Sequence, residues 1–164
     1  MATITTLGYD DLPDLLTRLN GDEKHDWSSL STLDVLWVLH DRVLVPAAGI
    51  GSGSLGHGLP IAVGAALSGR RVYCLVGDAE LDEGSNWEAV QYAGRVALGS
   101  LNVVVIDNRS STYHWPGGVE ERFALEGWSA ARCDGRDHAS IEQAFAAATG
   151  ERPHVVVAEV ERKR

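Results

Sequence analysis

The segment VYCLVGDAELDEGSNWEAVQYAGRVALGSLNVVVIDN, residues 72–108, decides the fold class of this chain. It contains two apolar runs, of which the first ends just before Asp78 and the second ends close to Asn108. Asp78 and Asn108 are 30 residues apart, which is about the length of one strand–helix–strand unit. We therefore expect the two side chains at the carboxyl ends of neighbouring parallel strands.

The alternation of apolar strands and helices continues along the chain. Predicted strands cover residues 71–76, 101–106, 128–133 and 154–160, and predicted helices cover residues 59–68, 83–97 and 138–148. Such alternation favours an α/β fold with a doubly wound, mainly parallel sheet and helices on both faces. Towards the N-terminus, residues 22–29 are predicted to form a polar loop, and Ser31 or Thr32 to cap the next helix.

Composition excludes several classes of protein. The 164 residues carry a net charge of −9 and no basic cluster, so nucleic-acid binding is not expected. No signal peptide is visible, and no apolar run approaches the roughly 20 residues that span a bilayer. We therefore expect a cytoplasmic protein without a membrane segment. Cys74 and Cys133 lie in apolar runs and are interpreted as buried structural thiols.

The pair formed by Asp78 and Asn108 is the first candidate site. A carboxylate and an amide supply the hard oxygen ligands that Mg²⁺ and Ca²⁺ prefer, and Mg²⁺ commonly bridges to cofactor phosphates. Taken alone, Asp78 is also a typical cap of a turn, and Asn108 is a common turn residue. Because both follow neighbouring strands, the pair predicts a clamp that holds a metal ion and a diphosphate.

Five segments together resemble the diphosphate-binding domain of transketolase-like thiamine diphosphate enzymes. They are STLDVLWVLHDRVL (31–44), SLGHGLPIAVGAAL (54–67), GDAELDEGSNWEA (77–89) with VVVIDN (103–108), DGRDHASIEQAF (134–145) and RPHVVVAEV (152–160). The resemblance covers most of residues 30–160 and implies a single domain over residues 1–164, with residues 1–29 as an N-terminal extension.

The resemblance implies roles for individual residues. Asp78, the side chain of Asn108 and the backbone carbonyl of Ser110 would bind Mg²⁺ or Ca²⁺. Gly77 and the backbone of Ala79 would lie against the cofactor's diphosphate. The residues that match positions near the aminopyrimidine and thiazolium rings are Gly53 and Leu55.

Three further residues are catalytic candidates by the same resemblance. Glu83 and Glu88 match acidic residues that run between paired active sites. They are also what helix electrostatics alone would favour, because Glu in a first turn stabilises the helix dipole. His57 stands where transketolases commonly carry Gln, and it would either reach phosphate or hydrogen-bond the loop.

The sequence also departs from the family's pattern. Ala79 replaces the usual second Gly of a Gly-Asp-Gly motif. Val45 is followed almost at once by the glycine-rich segment, so a long stretch with substrate-binding histidines is missing. The sequence also ends at Arg164, before a further loop with an active-site histidine. Recognition of sugar phosphates is therefore not expected. His114 in the STYHWPGG loop is either an exposed loop histidine or a local substitute for the missing ones.

No part of the sequence resembles the pyrimidine-binding domain, which in this family donates the Glu that activates thiamine diphosphate. We therefore expect a split transketolase-like enzyme that transfers a ketol or acyl unit of a small-molecule substrate. This chain would be a homodimer within a heterotetramer, beside a separate subunit that carries the missing domain. Two alternatives remain: a non-catalytic homologue with a structural or regulatory role, and an unrelated α/β nucleotide- or phosphate-binding domain.

Overall fold

The computed structural model describes residues 9–11, 26–43, 54–113 and 115–162. Its helices are α1 (Asp26–Val38), α2 (Gly58–Ala66), α3 (Gly84–Arg95), α4 (Val119–Leu125) and α5 (His138–Ala146). Its strands are β1 (Val72–Gly77), β2 (Leu101–Asp107), β3 (Ser129–Asp134) and β4 (His154–Glu159). Short 3₁₀ turns cover Tyr9–Asp11 and Asp78–Asp82, and a π turn covers Leu39–Val43.

The four strands form one parallel sheet in the order β1-β2-β4-β3. In the ladder between β1 and β2, Gly77 is the partner of Ile106. Asp78 therefore stands level with the last residue of β2, and Asn108 lies one residue beyond it. This register confirms the expected fold class and brings the ends of β1 and β2 to the same edge of the sheet.

Helices cover both faces of the sheet. Helices α2, α3 and α4 pack on one face, and α1 and α5 pack on the other. Strand β2 shows why both faces need covering, because Val103 and Val105 point into the first cluster while Val104 and Ile106 point into the second. Strands buried on both faces are typical of parallel sheets.

The start of helix α1 differs from the sequence prediction. The helix begins at Asp26, so part of the predicted loop 22–29 is helical and Ser31 and Thr32 lie inside the helix. Val35 and Val38 are fully buried beneath it, whereas Leu36 is partly exposed. The predicted cap at Ser31 or Thr32 is therefore wrong, because the helix already includes both residues.

Hydrogen bonds hold α1 against α5. The Asp34 carboxylate accepts from Arg136 at 2.7 Å and pairs with His138 at 2.9 Å, and it also accepts from the Tyr9 hydroxyl. These bonds lower the pKa of Asp34 although its burial alone would raise it.

Within the described residues, no helix is long and apolar enough to cross a membrane.

Candidate functional site

Asp78 is the first residue after β1 and begins the 3₁₀ turn Asp78–Asp82. Its side chain is only 3% exposed. One carboxylate oxygen accepts hydrogen bonds from the backbone N–H groups of Ser110 at 2.7 Å and Ser111 at 3.0 Å. The other accepts from the Ser110 hydroxyl at 2.6 Å. A buried carboxylate at the end of β1 thus gathers the loop that follows β2.

Asn108 is the first residue after β2, two residues before Ser110, and is 7% exposed. Its amide oxygen is buried and accepts no hydrogen bond from the described part of the chain. Arg109 follows in the left-handed region, with φ of 58°, so the chain turns sharply between Asn108 and Ser110. A buried acceptor without a donor is costly unless a water molecule, a ligand or an ion satisfies it.

The chemistry of these oxygens fits a hard divalent cation. Asp78 supplies a carboxylate, and Asn108 supplies an amide oxygen that no described residue contacts by a hydrogen bond, at the same edge of the sheet. Among the residues the structure describes, no three His, Cys, Asp or Glu side chains come together to hold a metal. A cation here would therefore depend on amide and carbonyl oxygens and on a phosphate of its own ligand.

The backbone around Asp78 leaves room for such a ligand. A Cβ atom added to Gly77 would meet nothing within 4 Å, so open space lies beside the end of β1. Asp78 and Ala79 directly follow it and begin the 3₁₀ turn. Binding of a diphosphate by Gly77 and Ala79 remains a prediction.

The glycine-rich segment is described only from Ser54 onward, so Gly53 lies outside the described residues. Leu55 is 62% exposed, which leaves its side chain open to a ligand or another chain. His57 is the N-cap residue of α2, but its side chain makes no capping hydrogen bond. It is exposed and lies in the loop beside Gly56, where its predicted catalytic role is neither supported nor opposed by a contact.

Glu83 and Glu88 occupy different kinds of position. Glu83 has extended backbone geometry and is the N-cap residue of α3, so the helix starts one residue later than predicted. Glu88 lies within the helix. Both side chains are exposed in the single chain. Their predicted roles therefore depend on a contact with another chain.

The sequence reasoning missed Glu80 and Asp82. Together with Asp78 they give the turn three carboxylates at alternate positions, and each accepts hydrogen bonds from a loop distant in sequence. Burial alone would raise the pKa of Asp82, but hydrogen bonds from Ser111 and Thr112 outweigh it and hold the pKa below its usual value. The alternation of acidic residues in DAELD was the available signal.

Aromatic side chains pack beside the loop that follows β2. Trp115 packs against Trp87 and Tyr113, and the Arg122 guanidinium lies 4.9 Å from the centre of the Trp87 ring. His114, predicted to compensate for missing histidines, lies outside the described residues. A cavity of about 200 Å³ opens between these aromatic side chains and Asp78, next to the proposed metal site.

A larger cavity, of about 640 Å³, lies beyond the ends of β3 and β4. Arg109, Arg132 and Arg136 line it, but each guanidinium pairs with a carboxylate. Arg132, for example, pairs with Glu120, Asp107 and Glu159, and these pairs raise its pKa. These three arginines are therefore neutralised, and Arg162 also lines the cavity. Asp78 lines the smaller cavity and not this one.

Both cysteines are buried, as predicted. Burial raises the pKa of the Cys74 thiol to about 12 and that of the Cys133 thiol to about 11, so neither is a thiolate near neutral pH. They are structural.

Comparisons with known proteins agree with this geometry. Residues 40–160 match the family described as "Transketolase, thiamine diphosphate binding domain". An apulose-4-phosphate transketolase subunit of Actinobacillus succinogenes is 32% identical over 69% of this chain and 46% of its own length. Human transketolase is 36% identical over 58% of this chain and 18% of its own length. The chain thus spans less than half the length of either relative.

A protein named "Ferredoxin fas2", from Rhodococcoides fascians, is 35% identical over 225 aligned positions, which include 97% of this chain and 74% of the relative. The alignment is longer than the 164 residues of this chain, so it contains residues of the relative without a counterpart here. Ferredoxin is the name of that relative. This sequence has two cysteines, Cys74 and Cys133, whereas bacterial- and plant-type ferredoxin clusters are held by four.

Solved structures show the same fold. The transketolase of Campylobacter jejuni matches with a TM-score of 0.62 and 27% identity, covering 67% of this chain and 20% of that chain. A transketolase variant from Pichia stipitis also matches with a TM-score of 0.62, at 26% identity, over 70% of this chain and 21% of that chain. The family match and the shared fold establish that the chain belongs to the transketolase N-terminal family of thiamine diphosphate-binding domains.

Proposed function

We propose that this chain is the diphosphate- and metal-binding subunit of a split transketolase-like enzyme that transfers a ketol or acyl unit. The observation that carries the proposal is the buried amide oxygen of Asn108, unpartnered within the described residues, beside the buried carboxylate of Asp78. Both lie at the carboxyl ends of adjacent parallel strands, where sheets of this kind bind ligands.

In this proposal, different residues would bind the metal ion and the diphosphate of the cofactor. Asp78, Asn108 and the Ser110 carbonyl would hold Mg²⁺ or Ca²⁺, and Gly77 and Ala79 would lie against the diphosphate. Bound thiamine diphosphate supplies the carbanion chemistry of the transfer. The hydrogen bonds from Ser110 to Asp78 keep the metal-binding loop closed on β1, so little reorganisation is needed on binding.

The remaining site residues would act around the cofactor's rings and between paired chains. Gly53 and Leu55 would contact the rings, and the exposed side chain of Leu55 is consistent with that role. His57 would reach a phosphate or substrate group. Glu83 and Glu88 would carry protons between paired sites once another chain covers them.

A partner chain with the pyrimidine-binding domain is part of the proposal. It is supported by the relative that is named as one subunit of a transketolase. We propose a heterotetramer built on a homodimer of this chain, acting on a small-molecule substrate in the cytoplasm. A neighbouring reading frame that encodes a pyrimidine-binding domain would identify the partner.

Calorimetric titration of Mg²⁺ and thiamine diphosphate tests the proposal, with the chain alone and with that partner. Asn108→Ala is the decisive variant, because the oxygen that it removes has no hydrogen bond to lose among the described residues. We expect metal-dependent affinity to fall by at least about 10-fold while the melting temperature is maintained.

Asn102→Ala is the matched control, because Asn102 is a buried residue at the other end of the same strand. Its replacement is expected to leave cofactor affinity unchanged. Equal affinity in the wild type and Asn108→Ala would refute the metal site. A wild-type chain that binds no cofactor, alone or with the partner, would instead support a non-catalytic, structural or regulatory role.

A further inference from the structure

The 3₁₀ turn Asp78–Asp82 contacts two loops that are far apart in sequence. Asp78 holds the loop after β2, as described above. Glu80 reaches the glycine-rich loop before α2, and Asp82 reaches the loop after β2 at a second point. One five-residue turn therefore links both loops of the proposed cofactor site.

Glu80 and Ser85 hold Gly56 from both sides of its backbone. The Gly56 N–H donates to the Glu80 carboxylate at 2.8 Å, and the Ser85 hydroxyl donates to the Gly56 carbonyl at 2.7 Å. Gly56 has φ of +81°, and a Cβ there would lie 2.6 Å from the Ser85 hydroxyl oxygen. A side chain at this position would be strained and would clash with Ser85, so the close contact between the loop and the turn requires glycine here.

The consequence falls on Leu55 and His57, the neighbours of Gly56. Both are exposed, and neither side chain is fixed by packing of its own within the described part of the chain. The two bonds that hold Gly56, from its N–H to Glu80 and from Ser85 to its carbonyl, therefore help to set their placement relative to the proposed metal site.

Asp82 anchors the loop after β2 beyond the metal-binding residues. One of its oxygens accepts from the Ser111 hydroxyl at 2.5 Å, and the other accepts from the Thr112 N–H and hydroxyl, both at 2.8 Å. With Asp78 holding Ser110 and Ser111, this anchor fixes the loop over consecutive residues.

We propose that Glu80 and Asp82 are positioning residues of the cofactor site, Glu80 for the end that carries the rings and Asp82 for the end that carries the metal and diphosphate. The inference rests on the proposed function, because it assigns the two loops to the two ends of thiamine diphosphate. Neither carboxylate binds the cofactor itself. Each acts through the backbone of the loop that it holds.

The two assignments predict different ligand selectivity. Mg²⁺ with inorganic pyrophosphate probes the metal and diphosphate end alone, and Mg²⁺ with thiamine diphosphate probes both ends. Glu80→Ala is expected to weaken thiamine diphosphate binding about 10-fold and to leave pyrophosphate binding within about twofold, since one charge-assisted hydrogen bond is lost. Asp82→Ala is expected to weaken both probes by a similar factor.

A conservative variant and a control complete the design. Glu80→Gln keeps an oxygen that accepts from Gly56 and is expected to restore most of the thiamine diphosphate affinity. Hydrogen exchange at the Gly56 amide should quicken in Glu80→Ala and return in Glu80→Gln. Glu151→Ala removes an exposed carboxylate at the opposite edge of the sheet and is expected to change neither affinity.

The outcomes separate this inference from the proposed function. If the wild type binds both probes and Glu80→Ala weakens both equally or neither, the assignment of Glu80 is wrong. If Asp82→Ala leaves pyrophosphate binding intact, the assignment of Asp82 is wrong. A wild type that binds neither probe would overturn the proposed function and this inference with it.

Discussion

The backbone N–H of Ser110 donates a 2.7 Å hydrogen bond to the carboxylate of Asp78, across 32 positions of sequence. This bond closes the loop after β2 onto the end of β1. Asn108 lies two residues before Ser110, so the closed loop also fixes the position of the Asn108 amide oxygen. That oxygen accepts no hydrogen bond from any described residue. The proposed metal site is therefore formed by a contact between two strand ends.

Asp78→Ala is expected to abolish metal-dependent binding of thiamine diphosphate by the assembled enzyme while the sheet stays folded. The change removes the only formal protein charge among the proposed metal ligands. It also leaves three hydrogen-bond donors of Ser110 and Ser111 unsatisfied, at a cost of about 1–3 kcal/mol where they stay buried. Calorimetry measures binding and circular dichroism measures folding. Wild-type cofactor affinity in the variant would exclude Asp78 as a ligand.

Asp78→Asn separates the two roles of this side chain. The amide keeps an oxygen that accepts from the loop but lacks the charge that attracts the cation. We expect it to lose less stability than Asp78→Ala and still to bind the metal and cofactor weakly, which a denaturant titration and calorimetry would show together.

The isolated chain is expected to transfer no ketol or acyl unit, even with Mg²⁺ and thiamine diphosphate. In the proposed split enzyme the partner carries the Glu that activates the cofactor, so the isolated chain would lack it. A coupled assay on rigorously purified protein, before and after addition of the partner, measures this. Turnover by the single chain would contradict the split-enzyme proposal.

Xylulose 5-phosphate and ribose 5-phosphate are expected to be poor substrates of the reconstituted complex. The histidine-bearing stretch expected after Val45 is missing, and the long alignment with the Rhodococcoides fascians relative is consistent with residues that this chain lacks. Steady-state rates with this pair, compared with smaller or unphosphorylated donors, provide the measurement. Efficient turnover of the pair would mean that other residues recognise the phosphate groups.

A homodimer of this chain, joined by two copies of the partner, is expected in solution. Glu83 is the N-cap residue of α3 and Glu88 lies inside that helix, and both side chains are exposed in the single chain. Burial of either carboxylate without a partner is costly, so we expect a shared proton or bound water at the contact. Light scattering at micromolar concentration tests the assembly. A monomer both alone and with the partner would rule it out.

His154 is expected to make stability depend on pH. Burial lowers its pKa, although the hydrogen bond from its ring to the Ala144 carbonyl acts in the opposite direction. The unfolded chain therefore binds a proton at higher pH than the folded chain. The free energy of unfolding therefore keeps its full value above the ordinary histidine pKa of about 6.5 and decreases as the pH falls towards the lowered pKa of His154.

Urea midpoints between pH 7.5 and pH 5 measure this dependence. His154→Gln keeps a donor for Ala144 but cannot gain a charge, so its midpoint should change less over the same interval. An equal change in both proteins would assign the pH dependence to other groups.

The sequence by itself determined the fold class and the position of Asp78 and Asn108 at the ends of neighbouring strands. Apolar runs at 71–76 and 101–106 indicated buried strands, and the 30-residue spacing indicated neighbouring parallel ones. These inferences succeed because a run of apolar residues and the spacing between two runs can both be read from a short stretch of sequence. The start of α1 at Asp26 was missed because the loop predicted for residues 22–29 was inferred from polar composition alone.

Only the tertiary structure decided how the site is held together. The buried amide oxygen of Asn108, the left-handed turn at Arg109 and the bonds from Glu80 and Asp82 to distant loops follow from strand register and loop conformation. Glu80 meets Gly56 across 24 positions, and Asp82 meets Thr112 across 30. No local pattern encodes such distances, because the chain must first fold around its sheet before these donors and acceptors meet.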